Sequence, residues 1–216
     1  MKIVVQKFGG TSLDTDKKRN QAVKQIINVK EKGFYPVIIV SAMGRAGKPY
    51  ATDTLINLAR DISPDIDSRD KDLLMSCGEI ISSVIIVQTL KKFNIDAKAL
   101  TGGQAGILTD NNFGCSMVID VKADEIIQTI ENNMVPVVAG FQGITENGDI
   151  TTLGRGGSDT TASLLAAAVE AIFIEIYTDV EGVMTADPEI VKNARLLNEV
   201  SYKEVCELAY QGARFI

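Results

Sequence analysis

The sequence predicts an α/β fold built on a mainly parallel sheet, and three observations carry the prediction. Short β-branched runs alternate along the chain with longer stretches of helical spacing. The first three segments, a strand at Ile3–Phe8, a helix at Lys17–Lys32 and a strand at Pro36–Ser41, complete a βαβ unit, which implies parallel pairing through a right-handed crossover. Glycine-containing loops then follow strand after strand, and in a parallel sheet those loops gather at one edge, where ligands bind. The 216 residues are 45% hydrophobic and 23% charged, enough apolar material for one sizeable core and far from the signature of disorder.

Ile3–Phe8 reads as a buried strand ending in Gly9-Gly10, and the helix after it carries apolar residues at 22, 23, 26, 27 and 29 before Gly33. The second strand closes in a loop of small and basic residues, Ala42–Lys48. From Asp70 to Lys92 the apolar positions 73, 74, 77, 80, 81, 84, 85 and 88–90 predict one long helix, interrupted by Gly78. A short strand at Ala97–Leu100, a loop at Thr101–Gly106, a helix near Ala123–Asn132 and an apolar strand at Val135–Ala139 continue the alternation. Asn147-Gly148, flanked by Ile144–Glu146 and Asp149–Thr151, predicts a β-hairpin near 144–151 with a two-residue turn. An Ala-rich helix then runs from the Gly154–Asp159 loop to about Ala168, and a strand follows at Ile172–Tyr177. Ser201 with Glu204 forms a capping box for a last helix running to Gly212. The apolar ending Ala213–Ile216 suggests a fragment of a longer protein, and with no linker or repeat in view the chain is expected to be one domain, 1–216.

Composition narrows the chemistry. There is no histidine, which removes imidazole bases, Ser-His and Cys-His catalysis and histidine metal ligands, and no metal site is expected. A net charge of −6 argues against general attraction to nucleic acid or to an anionic membrane. Apolar runs such as Val37–Val40 and Val84–Val87 fall short of the roughly 18 residues of a membrane span, and the N-terminus turns polar too early for a signal peptide. Three widely spaced cysteines, Cys77, Cys115 and Cys206, give no metal or disulfide framework and read as small buried hydrophobes. The expected location is the cytoplasm.

Four positions could carry chemistry. Lys7-Phe8-Gly9-Gly10-Thr11-Ser12 is either an anion cradle with a lysine beside it or an ordinary β-α turn. Arg155-Gly156-Gly157-Ser158-Asp159 opens a helix, so its amides and dipole favour an anion; Arg155 suits a carboxylate, and Asp159 is either a site residue or a complement to the dipole. Glu79 beside Gly78 is either a site residue reached by a closely approaching group or a solvated glutamate. Thr178-Asp179 at a strand end suits a ribose or adenine edge, or caps its own loop.

Taken together, Lys7–Ser12, Ser41–Gly44, Gly78-Glu79, Gly154–Thr161 and Thr178–Pro188 resemble, in order and across nearly the whole chain, the aspartate kinases of the amino-acid kinase family. The resemblance implies a three-layer αβα sandwich that transfers the γ-phosphoryl of ATP, with Mg²⁺, to the side-chain carboxylate of L-aspartate. The product is 4-phospho-L-aspartate, at the start of lysine, threonine and methionine synthesis. It further implies that Lys7, Gly9 and Gly10 meet the transferring phosphate, that Asp159 organises Lys7, and that Thr11, Ser41 and Ser158 lie in the substrate cleft. Glu79 would face the substrate ammonium, Arg155 its α-carboxylate, and Thr178, Asp179, Met184 and Arg214 the nucleotide. Met184 stands where many relatives have tyrosine, Glu189 where arginine is usual and Arg214 where a lysine contacts nucleotide; an acid in place of a base at 189 would repel phosphate, and the sequence leaves the net effect on nucleotide affinity open. The resemblance also implies that regulatory ACT domains usually follow such a domain and that the full-length protein is a homo-oligomer. Two other readings are a silent amino-acid or nucleotide-binding subunit of the same fold and another carboxylate kinase, such as acetylglutamate kinase.

Overall fold

The structure, a computed structural model, describes residues 1–179, 182–186 and 191–210, and divides into two compact units, Met1–Tyr177 and Thr178–Ile216. In the first unit the order is β1 (Ile3–Phe8), α1 (Asp16–Glu31), β2 (Tyr35–Val40), α2 (Thr52–Arg60), α3 (Ser68–Lys91), β3 (Ala97–Leu100), β4 (Ile107–Thr109), β5 (Val118–Val121), α4 (Asp124–Glu131), β6 (Val135–Ala139), β7 (Gln142–Ile144), β8 (Ile150–Thr152), α5 (Gly157–Ala168) and β9 (Phe173–Tyr177). The second unit contains α6 (Tyr202–Tyr210).

Five strands pair in the order β3-β6-β2-β1-β9, every pair parallel, as the βαβ reading requires. Period-two alternation sorts their side chains into two cores. Val5, Val37, Ile39 and Val138 face Ile126 and Ile130 of α4 and Ala162 and Leu165 of α5. Phe8, Ile38, Val40 and Val137 face Val23 and Ile26 of α1 and Ile86 and Leu90 of α3. Helices therefore cover both faces of the sheet, which is the three-layer αβα sandwich. The carboxyl ends of β1, β2 and β6 lie at one edge, and their loops share hydrogen bonds there: Ser41 N–H donates to Phe8 O at 3.2 Å and Gly140 N–H to Val40 O at 3.0 Å.

A second, four-stranded sheet, β5-β4-β7-β8, was not expected beyond its hairpin. β7 and β8 pair antiparallel from Gln142↔Thr152 to Ile144↔Ile150. The turn differs from the expected one. Gly148 N–H donates to Thr145 O at 3.0 Å and Thr145 N–H to Asp149 O at 2.9 Å, so the turn centres on Glu146-Asn147 and Gly148, at φ 88°, closes a three-residue loop.

α3 corrects the periodicity argument. Its predicted apolar stripe is partly in solvent, with Leu73 and Val84 each 44% exposed, while Asp72, Ser76, Gly78, Glu79, Ser82 and Ser83 are buried. Polar groups survive there because hydrogen bonds satisfy most of them; Ser82 Oγ donates to Gly78 O at 3.0 Å and Ser83 Oγ to Ile80 O at 2.8 Å. By length and composition α3 could also cross a membrane, the one such helix among the described residues, yet half of that stretch is buried inside the fold. The cysteine reading needs correction too, because Cys115 is exposed and Cys77 half-buried, both with free thiols; each sits on an irregular or outward-facing stretch where no core closes over it.

Within the second unit Met184 bridges Leu196, and the capping box forms as read: Ser201 N–H donates to Glu204 Oε2 at 2.8 Å and Glu204 N–H to Ser201 Oγ at 3.3 Å. Gly212 lies outside the described residues.

Candidate active site

β1 delivers Lys7 to the carboxyl edge on the α5 face, one residue before the chain leaves the sheet. There Lys7 Nζ stands 2.9 Å from Asp159 Oδ1 in the first turn of α5. The lysine side chain is 5% exposed and the aspartate 24%, so the cation depends on its partner more than the anion does. Asp159 is thus more than a complement to the helix dipole. Its ion pair fastens the loop after β1 to the loop that opens α5, the two glycine pairs that the sequence singled out.

The first glycine pair is built for close approach. A Cβ on Gly10 would lie 2.1 Å from Ala42 O, and Gly44 N–H donates to Gly10 O at 3.0 Å, so the loops after β1 and β2 touch through their backbones. Gly9 N–H, however, is taken up by Tyr177 O at 3.0 Å, so that amide is engaged within the fold. Thr11 O accepts from Lys18 Nζ at 2.7 Å, which ties the short 3₁₀ turn at Gly10–Ser12 to α1.

Glu79 reaches the same edge from α3. Ala42 N–H donates to Glu79 Oε1 at 3.0 Å, while Oε2 is buried with no partner. At 3% exposure this is not a solvated glutamate. Burial pushes its carboxyl up to about 8, against the opposing pull of the Ala42 amide. Gly78 permits the arrangement, since a Cβ there would meet Ala42 Cβ at 2.7 Å and Tyr50 O at 2.9 Å. The close approach that the sequence required of a mid-helix glycine is the β2 loop.

The α5 loop turns through two left-handed glycines, Gly154 and Gly156, both at φ 73°, and no side chain caps the helix. Arg155 is exposed between them, and Ser158 is buried against Gly140. The segment Gly140-Phe141, which the sequence reading left out, holds this loop: Phe141 N–H donates to Thr161 Oγ1 at 3.0 Å and Phe141 O accepts Leu153 N–H at 2.9 Å. Phe141 does so at φ 70°, a conformation costing a bulky residue on the order of 1–3 kcal/mol. Its signal was the Gly140-Phe141-Gln142-Gly143 run directly after an apolar strand.

The structure thus joins Lys7, Gly10, Glu79, Ser158 and Asp159 through direct or shared contacts at one sheet edge, with Ser41 in the loop between them. Thr178, Asp179 and Met184 belong to the second unit, where Thr178 Oγ1 donates to Asp179 Oδ1 at 3.3 Å. Glu189 and Arg214 lie outside the described residues.

The pattern of the amino acid kinase family matches residues 2–216. Aspartokinase 1 of Bacillus subtilis is 52% identical over the whole chain, and the aspartokinase of Geobacillus stearothermophilus 45% over 99% of it. The chain spans 54% and 51% of those two proteins, about half the length of the curated relatives it matches. The aspartate kinase of Synechocystis superposes with a TM-score of 0.82 at 40% identity over 97% of this chain and 34% of that one. Escherichia coli aspartokinase III, solved in complex with aspartate and ADP, gives 0.79 at 26% identity over 97% of this chain and 56% of that one.

Proposed function

The chain belongs to the amino acid kinase family, and from that premise we propose that it carries the catalytic chemistry of an aspartate kinase, moving the γ-phosphoryl of ATP to the β-carboxylate of L-aspartate. The observation that carries the proposal is the Lys7–Asp159 pair at 2.9 Å, a buried cation held between two glycine loops at the ligand edge of a parallel sheet. The acceptor needs no general base, because a carboxylate with a pKa near 4 is already ionised at pH 7; a chain without histidine suffices. Catalysis then rests on in-line placement and on positive charge around the phosphoryl oxygens.

In this reading Lys7 neutralises charge on the transferring phosphoryl and Asp159 holds it there. Glu79, with a buried unpartnered oxygen, receives the substrate ammonium, and the exposed guanidinium of Arg155 receives the α-carboxylate. Thr11, Ser41 and Ser158 line the cleft, and Thr178, Asp179, Met184 and Arg214 serve the nucleotide. Among the described residues no three acidic or thiol side chains converge on a metal position. Mg²⁺ would be held mainly by the phosphates of its nucleotide with one or two carboxylates, and would supply charge neutralisation there. Feedback regulation and homo-oligomer formation are proposed for the longer protein.

Incubation with ATP, Mg²⁺, aspartate and hydroxylamine, which traps an acyl phosphate, tests the proposal. Hydroxamate is expected with aspartate and none with N-acetylglutamate. Aspartate binding without hydroxamate would instead make the chain a silent binding subunit.

A further inference from the structure

Asp72 is fully buried and lies outside every role assigned so far. Its Oδ2 accepts Gly114 N–H at 2.9 Å and Thr152 N–H at 2.8 Å, and its Oδ1 accepts the Thr152 hydroxyl at 2.9 Å. The same face of α3 makes two further bonds to the hairpin: Arg69 Nε donates to Asp149 Oδ1 at 2.6 Å, and Ser76 O accepts Gln142 Nε2 at 3.1 Å. Residues 69, 72, 76 and 79 follow the three- and four-residue spacing of one helical face. Glu79 follows Asp72 by seven residues, two turns and about 10 Å along the axis. One rigid helix therefore holds both the proposed ammonium ligand and the anchor of the hairpin.

The anchor lies next to Arg155. Thr152 precedes it by three residues, and the intervening backbone is fixed by Leu153 N–H to Phe141 O at 2.9 Å and Gly157 N–H to Gly154 O at 3.1 Å. Asp72 also supports that loop from beneath, because the Gly114 amide it holds leads into Cys115, whose Sγ would stand 3.2 Å from a Cβ on Gly154. A buried carboxylate accepting three bonds is a stiff joint, since charge-assisted hydrogen bonds are about twice as strong as neutral ones.

We propose that Asp72 is a positioning residue that sets Arg155 at a fixed span from Glu79, making α3 the ruler against which the chain measures the distance between the ammonium and α-carboxylate of its amino-acid substrate. The inference rests on the aspartate-site reading above. Asp72 touches no substrate; it acts through the arginine loop.

A double-mutant cycle tests it, read as KM for aspartate and for ATP. Asp72→Ala is expected to raise KM for aspartate about tenfold and to leave KM for ATP within about twofold, as one lost carboxylate contact would. In an Arg155→Ala background the same substitution is expected to change KM for aspartate less than about twofold, because the residue it positions is gone. Asp72→Asn retains an acceptor for the two amides and preserves the fold if alanine does not; it should show a smaller rise with the same dependence on Arg155. Equal rises in KM with and without Arg155, or a matching rise in KM for ATP, would overturn the ruler while leaving the kinase reading intact. A wild-type chain that neither binds nor phosphorylates aspartate would overturn both.

Discussion

Lys7→Ala is expected to lower kcat by about 10²- to 10³-fold, the loss typical of removing one preorganised group that meets developing charge, with the fold preserved. The asymmetry of the ion pair explains why folding survives. Without the lysine, Asp159 keeps 24% of its side chain in solvent and stays in the first turn of α5, where the helix dipole favours a negative charge. The reverse substitution behaves differently. Asp159→Ala leaves a lysine that is 5% exposed with no counter-ion, and burying an unpaired charge is strongly destabilising. Asp159→Ala should therefore lower Tm more than Lys7→Ala, although both lower turnover by orders of magnitude. Thermal melts beside the hydroxamate assay separate the two effects, and turnover near the wild-type level in Lys7→Ala would remove Lys7 from the chemistry.

Glu79→Gln should raise KM for aspartate by about 10- to 100-fold, the worth of a charge-assisted hydrogen bond to a buried site, and should change how the protein responds to pH. The Glu79 carboxyl titrates at about 8 in the folded chain because burial disfavours its charge. At pH 7 it is mostly protonated, so an arriving ammonium must displace that proton. KM for aspartate should then fall about tenfold per pH unit on approaching pH 8 from below and level off above it, and the glutamine variant should lose this slope. Stability follows the same linkage with a definite sign. The folded-state pKa is raised above the ordinary glutamate value of 4.5, so the folded chain holds the extra proton between 4.5 and about 8. The contribution is full below 4.5 and is lost as pH rises through about 8. Glu79→Gln, which carries no charge to bury and still offers Ala42 an acceptor, should match the wild type at pH 5 and exceed it at pH 9. Equal stability at both pH values would contradict the assignment.

Local signals carried the parallel sheet. β1, β3 and β6 fall at their predicted limits, and α1, β2, α4, α5 and β9 within one or two residues, because each is an apolar run or periodic stretch bounded by glycine or polar residues. α2 was missed because Ile56 is its one buried side chain while Leu58 is exposed, so tertiary packing contributes little pattern. β4 and β5 span three and four residues, and β4 is held by partners that range from Val118, opposite Thr109, to Ile144, opposite Leu108, for which no local signal exists. Among site residues, Lys7, Glu79 and Asp159 were legible because glycines stood beside them, and the structure supplies the close approaches those glycines permit. Asp72, Ser76 and Gln142 were not. Periodicity counts apolar residues, and the buried face of α3 at this end is polar, its burial made possible by hydrogen bonds to elements 42 to 80 residues further on. The reading of Cys77 and Cys115 failed for the related reason that residue type says little about which side of a half-buried helix or loop closes over, while the side chain of Cys206 lies outside the described residues.

The most direct measurement is a crystal structure of this chain with L-aspartate and a non-hydrolysable ATP analogue bound. The account predicts aspartate held between Glu79 and Arg155, its β-carboxylate toward Gly10, and Lys7 at the terminal phosphate. Aspartate bound away from Glu79, or a terminal phosphate remote from Lys7, would contradict it.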